Sequence, residues 1–143
     1  MKIFATVAVA AGVAVGIAVG PPPRRALSES TPDTLVAGQE AAALVSVADV
    51  KTRGGSVSGV LVSQSHQSLR DVELLIRYVW LWNDERHPGE DNPGRSAYYT
   101  VPDLIPPGAS APFHYEPSPP LPKRSDGHFE ISVEVVGFTE VGR

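Results

Sequence analysis

Asp84, Glu85, Glu90, Asp91 and Asn92 crowd into the stretch "YVWLWNDERHPGEDNPGR", which runs from Tyr78 to Arg95. Their side chains offer hard oxygens of the kind calcium takes, although the spacing matches no EF-hand loop. Arg86 and Arg95 lie among them and can pair with the acids. Just before the acids come Trp80 and Trp82, which share a strand face with Tyr78. A flat aromatic strip of this kind can stack on sugar rings. One reading is therefore a glycan- or calcium-binding module whose binding residues are Trp82, Asp84, Glu85, Arg86, Glu90, Asp91, Asn92 and Arg95. The plainer reading makes the indoles an extension of the apolar face begun by Val72, Leu74 and Ile76. A strand does not change its buried face without a bulge. The loop is then a solvated connection stiffened by two Pro-Gly turns, and Trp82, nearer the strand end, is the more exposed indole.

Other chemistry finds little footing. His114 with Glu116, and His128 with Glu130, each put a His and a carboxylate on one strand face. Facing one another they could hold zinc. In an immunoglobulin-like sandwich, however, the two strands fall in different sheets and both pairs point outward. "GGSVSG" misses the Gly-x-Ser-x-Gly position with both Ser56 and Ser58. His66 has no acid at triad spacing. There is no phosphate loop and no His-Glu-x-x-His. "PPLPKR" fits a short ligand for proline-reading domains, a pattern common by chance. The chain has no cysteine, which excludes disulfides, thiolate catalysis and a lipid-modified cysteine. No catalytic residue, metal site or cofactor is expected. A net charge of −4 without a basic run argues against nucleic acid as a partner.

The elements that would position these residues are mostly strands. Fourteen prolines and thirteen glycines in 143 residues favour turns over long helices. "SVSGVLVSQS", "DVELLIRYVWLWN", "SAYYTVP", "SAPFHYE" and "HFEISVEVVGF" all read as strands. The last is the cleanest, with Phe129, Ile131, Val133 and Val135 inward and His128, Glu130, Ser132 and Glu134 outward. "EAAALVSVADV" has a helical composition at its start, but its alternation and its neighbours favour a strand. His87-Pro88-Gly89, Asn92-Pro93-Gly94 and Pro106-Pro107-Gly108 supply the dihedrals of type II turns. Residues 42–143 thus predict an all-β, immunoglobulin-like two-sheet sandwich of six or seven strands. Positions 21–41 read as a poorly ordered linker.

Residues 1–20, "MKIFATVAVAAGVAVGIAVG", place one lysine before an apolar, Ala- and Gly-rich run. This reads as a secretory signal peptide or, if uncleaved, a hydrophobic helix anchoring the chain through residues 3–20. The run is slightly short for a span. Cleavage after Ala18 satisfies the small-residue rule. Arg24-Arg25 follows the run and so is no twin-arginine signal. The expectation is an exported protein, periplasmic or secreted.

The frame from Val57 to Glu134 resembles the bacterial FxLYD-type domain. Gly59-Val60, Val72 to Ile76, Trp80-Leu81-Trp82-Asn83-Asp84, Pro107-Gly108 and Phe113 carry the resemblance. The chain departs from that family at Ser63-Gln64, where Asn is common, and in its longer Asn83–Arg95 loop. The resemblance implies an immunoglobulin- or fibronectin-like sandwich of exported envelope proteins, without catalytic residues. The expected function is a non-enzymatic module that contacts an as yet unknown protein partner in the cell envelope. Its expected working surfaces are the Asn83–Arg95 loop and any unpaired strand edge. With the domain running to Arg143, a working module is expected rather than a spacer.

Overall fold

The computed structural model describes Gly20 and residues 31–143. Apart from Gly20, the expected signal or anchor lies outside the described residues, as do positions 21–30 of the expected linker. The described elements are β1 (Thr34–Ala37), α1 (Gly38–Leu44), β2 (Val45–Arg53), β3 (Ser56–Ser63), β4 (Leu69–Trp82), β5 (Arg95–Val101), β6 (Ser110–Tyr115) and β7 (Gly127–Glu140). They form a four-stranded sheet in the order β1-β7-β4-β5 and a three-stranded sheet in the order β2-β3-β6. All pairings are antiparallel. This is the two-sheet, all-β sandwich that the alternation predicts. Among the described residues, no helix is long and apolar enough to cross a membrane.

The long strands follow their side-chain pattern. On β4, Val72, Leu74, Ile76, Tyr78 and Trp80 are buried, while Arg77 and Val79 face solvent. Its partner β7 turns Phe129, Ile131 and Val133 inward half-buried and Val135 fully buried. The register slips beyond that point: Leu74 pairs with Val135, but Glu73 pairs with Gly137. The extra residue, Val136, lets Phe138 take the next core position at 1% exposure. A second bulge sits on β2 between Ala48 and Lys51, opposite Gly59. There Asp49 takes a left-handed φ of 52°, which Asp tolerates better than most residues. Gly59 is required at this point. A Cβ on it would lie 2.9 Å from the Phe113 ring and 3.0 Å from the Ala48 carbonyl oxygen.

Two expectations are corrected. "EAAAL" is not strand: Gly38–Leu44 is a helix, and the strand begins at Val45. Ala, Gln, Glu and Leu are strong helix formers, and Ala41, fully buried, is the residue that α1 seats in the core. Order also begins before residue 42. Within the stretch read as linker, β1 pairs with the C-terminal end of β7 from Thr34–Glu140 to Ala37–Gly137. Four residues with only Val36 buried leave no periodicity to read.

Candidate functional site

The Asn83–Arg95 loop leaves β4 and returns as β5. Its polar groups are largely spent on the loop itself. Asp84 Oδ1 accepts from the Arg86 amide at 3.0 Å, and its Oδ2 lies 2.8 Å from His87 Nδ1. Glu85 Oε1 accepts from the Trp82 amide at 3.0 Å. Asn92 Oδ1 accepts from the Gly94 amide at 2.8 Å. The Asp91 carbonyl accepts from Arg124 Nη1 at 2.7 Å. Arg95 donates to the Pro119 carbonyl and lies over the Tyr78 ring at 5.9 Å. Arg86 and Glu90 are exposed, with no side-chain partner among the described residues. Of the loop's acids, Asp84 and Glu85 thus hold their carboxylates in local turn contacts. No three His, Cys, Asp or Glu side chains are grouped to hold a metal ion among the described residues.

The indoles belong to a packed corner. Trp80 is 5% exposed and Trp82 half-buried, the order expected from their positions. Trp80 stands edge to face with Phe129 at 4.8 Å and with Trp82 at 5.9 Å between ring centres. Its Nε1 is buried with no hydrogen-bond partner among the described residues. Arg124 lies 5.3 Å from each indole centre, close enough for cation–π attraction to both. It also forks onto Asp126, with Nε–Oδ1 at 2.9 Å and Nη2–Oδ2 at 2.5 Å. That hydrogen-bonded pairing holds the Asp126 carboxyl below its ordinary range and raises the guanidinium. The loop folds back over Trp82 as well, since a Cβ on Gly89 would come within 2.8 Å of its ring. A sugar-stacking strip needs free ring faces, and here Arg124, Gly89 and neighbouring rings cover Trp80 and part of Trp82. Sequence reading missed Arg124. It lies in a Pro-rich connection far along the chain, and nothing in its spacing points to the tryptophans.

The two His–carboxylate pairs are also apart. His114 Nε2 lies 3.2 Å from Glu116 on the three-stranded sheet, whereas His128 and Glu130 lie on the four-stranded one.

The second surface is an open strand edge. β7 pairs with β4 along its whole length, but β1 covers only its Gly137–Glu140 end. From Gly127 to Val136, the edge away from β4 has no strand partner among the described residues, but toward Val133–Val136 α1 and β2 lie against it. Beneath it, the half-buried Phe129, Ile131 and Val133 line the gap between the sheets. Two indentations follow this gap. One, of about 240 Å³, is lined by Gly54, Gly55, Leu121, Lys123, Phe129 and Ile131. The other, of about 340 Å³, lies among Ala42, Val45, Val47, Val133 and Val135. Other edges are blunted: β1 has four residues, β2 carries the Asp49 bulge, and β6 has Pro112 at its centre. The β5 edge is unblocked, but there Tyr99 packs on Tyr115 at 5.6 Å and closes the gap between the sheets.

By fold and site, then, the chain is an all-β two-sheet sandwich in which β1 pairs with only the C-terminal end of β7. No protein-family model matches it, and neither curated proteins nor solved structures gave a match.

Proposed function

We propose that this protein is a non-enzymatic, exported module with an immunoglobulin-like sandwich, periplasmic or secreted, that acts by contacting another protein. The observation that carries this reading is the Gly127–Ser132 edge of β7, without a strand partner among the described residues and backed by the half-buried Phe129 and Ile131. Such an edge offers a line of main-chain donors and acceptors to an incoming strand. Two further points support it. Asp84, Glu85 and Asn92 of the loop are engaged in local turns, which gives them a structural task. The resemblance to the FxLYD-type envelope domain, itself part of this proposal, implies the same kind of role.

The test is a photo-crosslinking residue placed singly at Ser132, Arg86 or Tyr98 of the full chain in the producing cells. All three sites are exposed, on the β7 edge strand, the loop and β5 respectively. A discrete protein adduct from Ser132 is expected. Absence of an adduct from every position sinks the reading.

A further inference from the structure

Going beyond that reading, we infer that the β5 edge pairs with the β5 edge of a second copy of this chain, joining two four-stranded sheets into one. β5 ends its sheet and has β4 as its one strand partner among the described residues. β4 is also the one element packed closely on it. On the far side, no backbone group from Ser96 to Thr100 has a hydrogen bond among the described residues. Alternate residues of an antiparallel edge turn both N–H and C=O outward, so a line of unmet donors and acceptors faces water there.

What sets β5 apart is the lack of any guard. Natural sheets protect their edges with charge, proline, a bulge or short length. β1 has four residues, β2 carries the Asp49 bulge and β6 has Pro112. β7 bears Glu130 and Glu134 and has α1 and β2 against it toward Val133–Val136. By contrast, Ser96-Ala97-Tyr98-Tyr99-Thr100-Val101 holds no charge, proline or glycine, and Tyr, Thr and Val favour strands. Its largest outward side chain, Tyr98, is 68% exposed.

The occupant follows from symmetry. Two identical strands paired antiparallel turn the same set of residues toward each other, so one residue faces its own copy. With the two-fold axis at Tyr98, all seven residues of β5 are paired. Ser96 then faces the partner's Thr100, Ala97 the partner's Tyr99 and Arg95 the partner's Val101. No like charges meet. The two Tyr98 phenols stand side by side, each next to the buried Leu75 of its own β4. A row across the joined sheet reads Arg77, Ser96, the partner's Thr100, the partner's Glu73, so each row ends in opposite charges. The two β7 strands lie toward the outer ends of the joined sheet, away from the axis, and the contact proposed above is unaffected.

The test is sedimentation of the full chain over a range of concentrations. A monomer–dimer equilibrium is expected for the native chain. Ser96→Glu with Thr100→Glu sets acid against acid twice across the axis, and Ser96→Lys with Thr100→Lys sets base against base. Both positions are exposed. Each double variant alone is expected to dimerise at least about tenfold more weakly than the native chain. An equal mixture of the two is expected to recover the dimer, because every Glu then faces a Lys. Should either double variant lack a cooperative melting transition, Tyr98→Lys, a single exposed change that sets lysine against lysine on the axis, takes its place and is expected to weaken the dimer likewise. A photo-crosslinker at Tyr98 is expected to join two copies. A native chain that stays monomeric at every concentration overturns the inference. So does a dimer that persists in the like-charge variants, since it then forms through another surface, or a mixture of folded variants that does not associate.

Discussion

At the scale of single residues, the corner around Trp80 sets the sharpest limits. Gly127 pairs with Trp82 and has no room for a side chain. A Cβ there would fall 2.3 Å from the Leu81 carbonyl oxygen and 2.6 Å from the Trp80 ring. Backbone cannot yield as a flexible side-chain tip would. Gly127→Ala should therefore cost about 1–3 kcal/mol, read as a lower urea midpoint with an unchanged slope. The indoles give an independent check. With Trp82→Phe, the remaining Trp80 should emit in the blue and resist acrylamide. With Trp80→Phe, Trp82 should be quenched to an intermediate degree, because Arg124 and Gly89 cover part of its ring. Free quenching of both would mean that the corner is open and that a stacking platform is available after all.

At the scale of elements, the sequence is most legible where a strand has one face in the core over many residues. The inward rows of β4 and β7 follow from alternation alone, including the fading burial at Trp82. The bulges at Asp49 and Val136 were not legible, because one extra residue leaves composition unchanged and shifts only the pairing partner. β1 was missed because a four-residue strand with one buried side chain has no period, and α1 because a two-turn helix blends into the alternation after it. The candidate loop was found in sequence, but its internal bonding was not, and Arg124 could be placed only by folding. The open edge of β7 was likewise invisible, since it depends on where β1 stops. It makes its own prediction. A central strand has every amide held by a neighbour, whereas β7 between Phe129 and Ser132 should alternate, with amides toward β4 slow to exchange and those toward the open edge fast. Hydrogen exchange resolved by residue on the full chain reads this directly. Uniform protection would mean that the edge is already covered.

At the scale of the whole molecule, the two sheets are joined unevenly. On one side Tyr99 packs on Tyr115, and on the other α1 and β2 lie against β7, with a shallow indentation among Ala42, Val45 and Val133. A polar tie crosses the interior between them: Tyr78, on β4 in the four-stranded sheet, donates its hydroxyl to the Gly55 carbonyl at the β2–β3 turn, at 2.8 Å. Tyr78 is 1% exposed, and burial pushes its phenol up to about 12. In the unfolded chain the same phenol titrates near 10. The folded value is the higher one, so the protonated phenol favours the fold. Its contribution is complete below about pH 10 and is lost as pH rises toward 12. The difference amounts to about 3 kcal/mol at most. Tyr78→Phe removes the titrating group and leaves the Gly55 carbonyl unmet, which should cost about 1–2 kcal/mol near neutral pH. The gap in melting temperature between the native chain and Tyr78→Phe should therefore hold steady from pH 7 to 9 and narrow above pH 10. A gap that stays constant to pH 12 would show that the phenol carries no linkage between the sheets, and the packing of apolar residues such as Leu61, Ile76, Phe113 and Phe138 would then have to account for their cohesion alone.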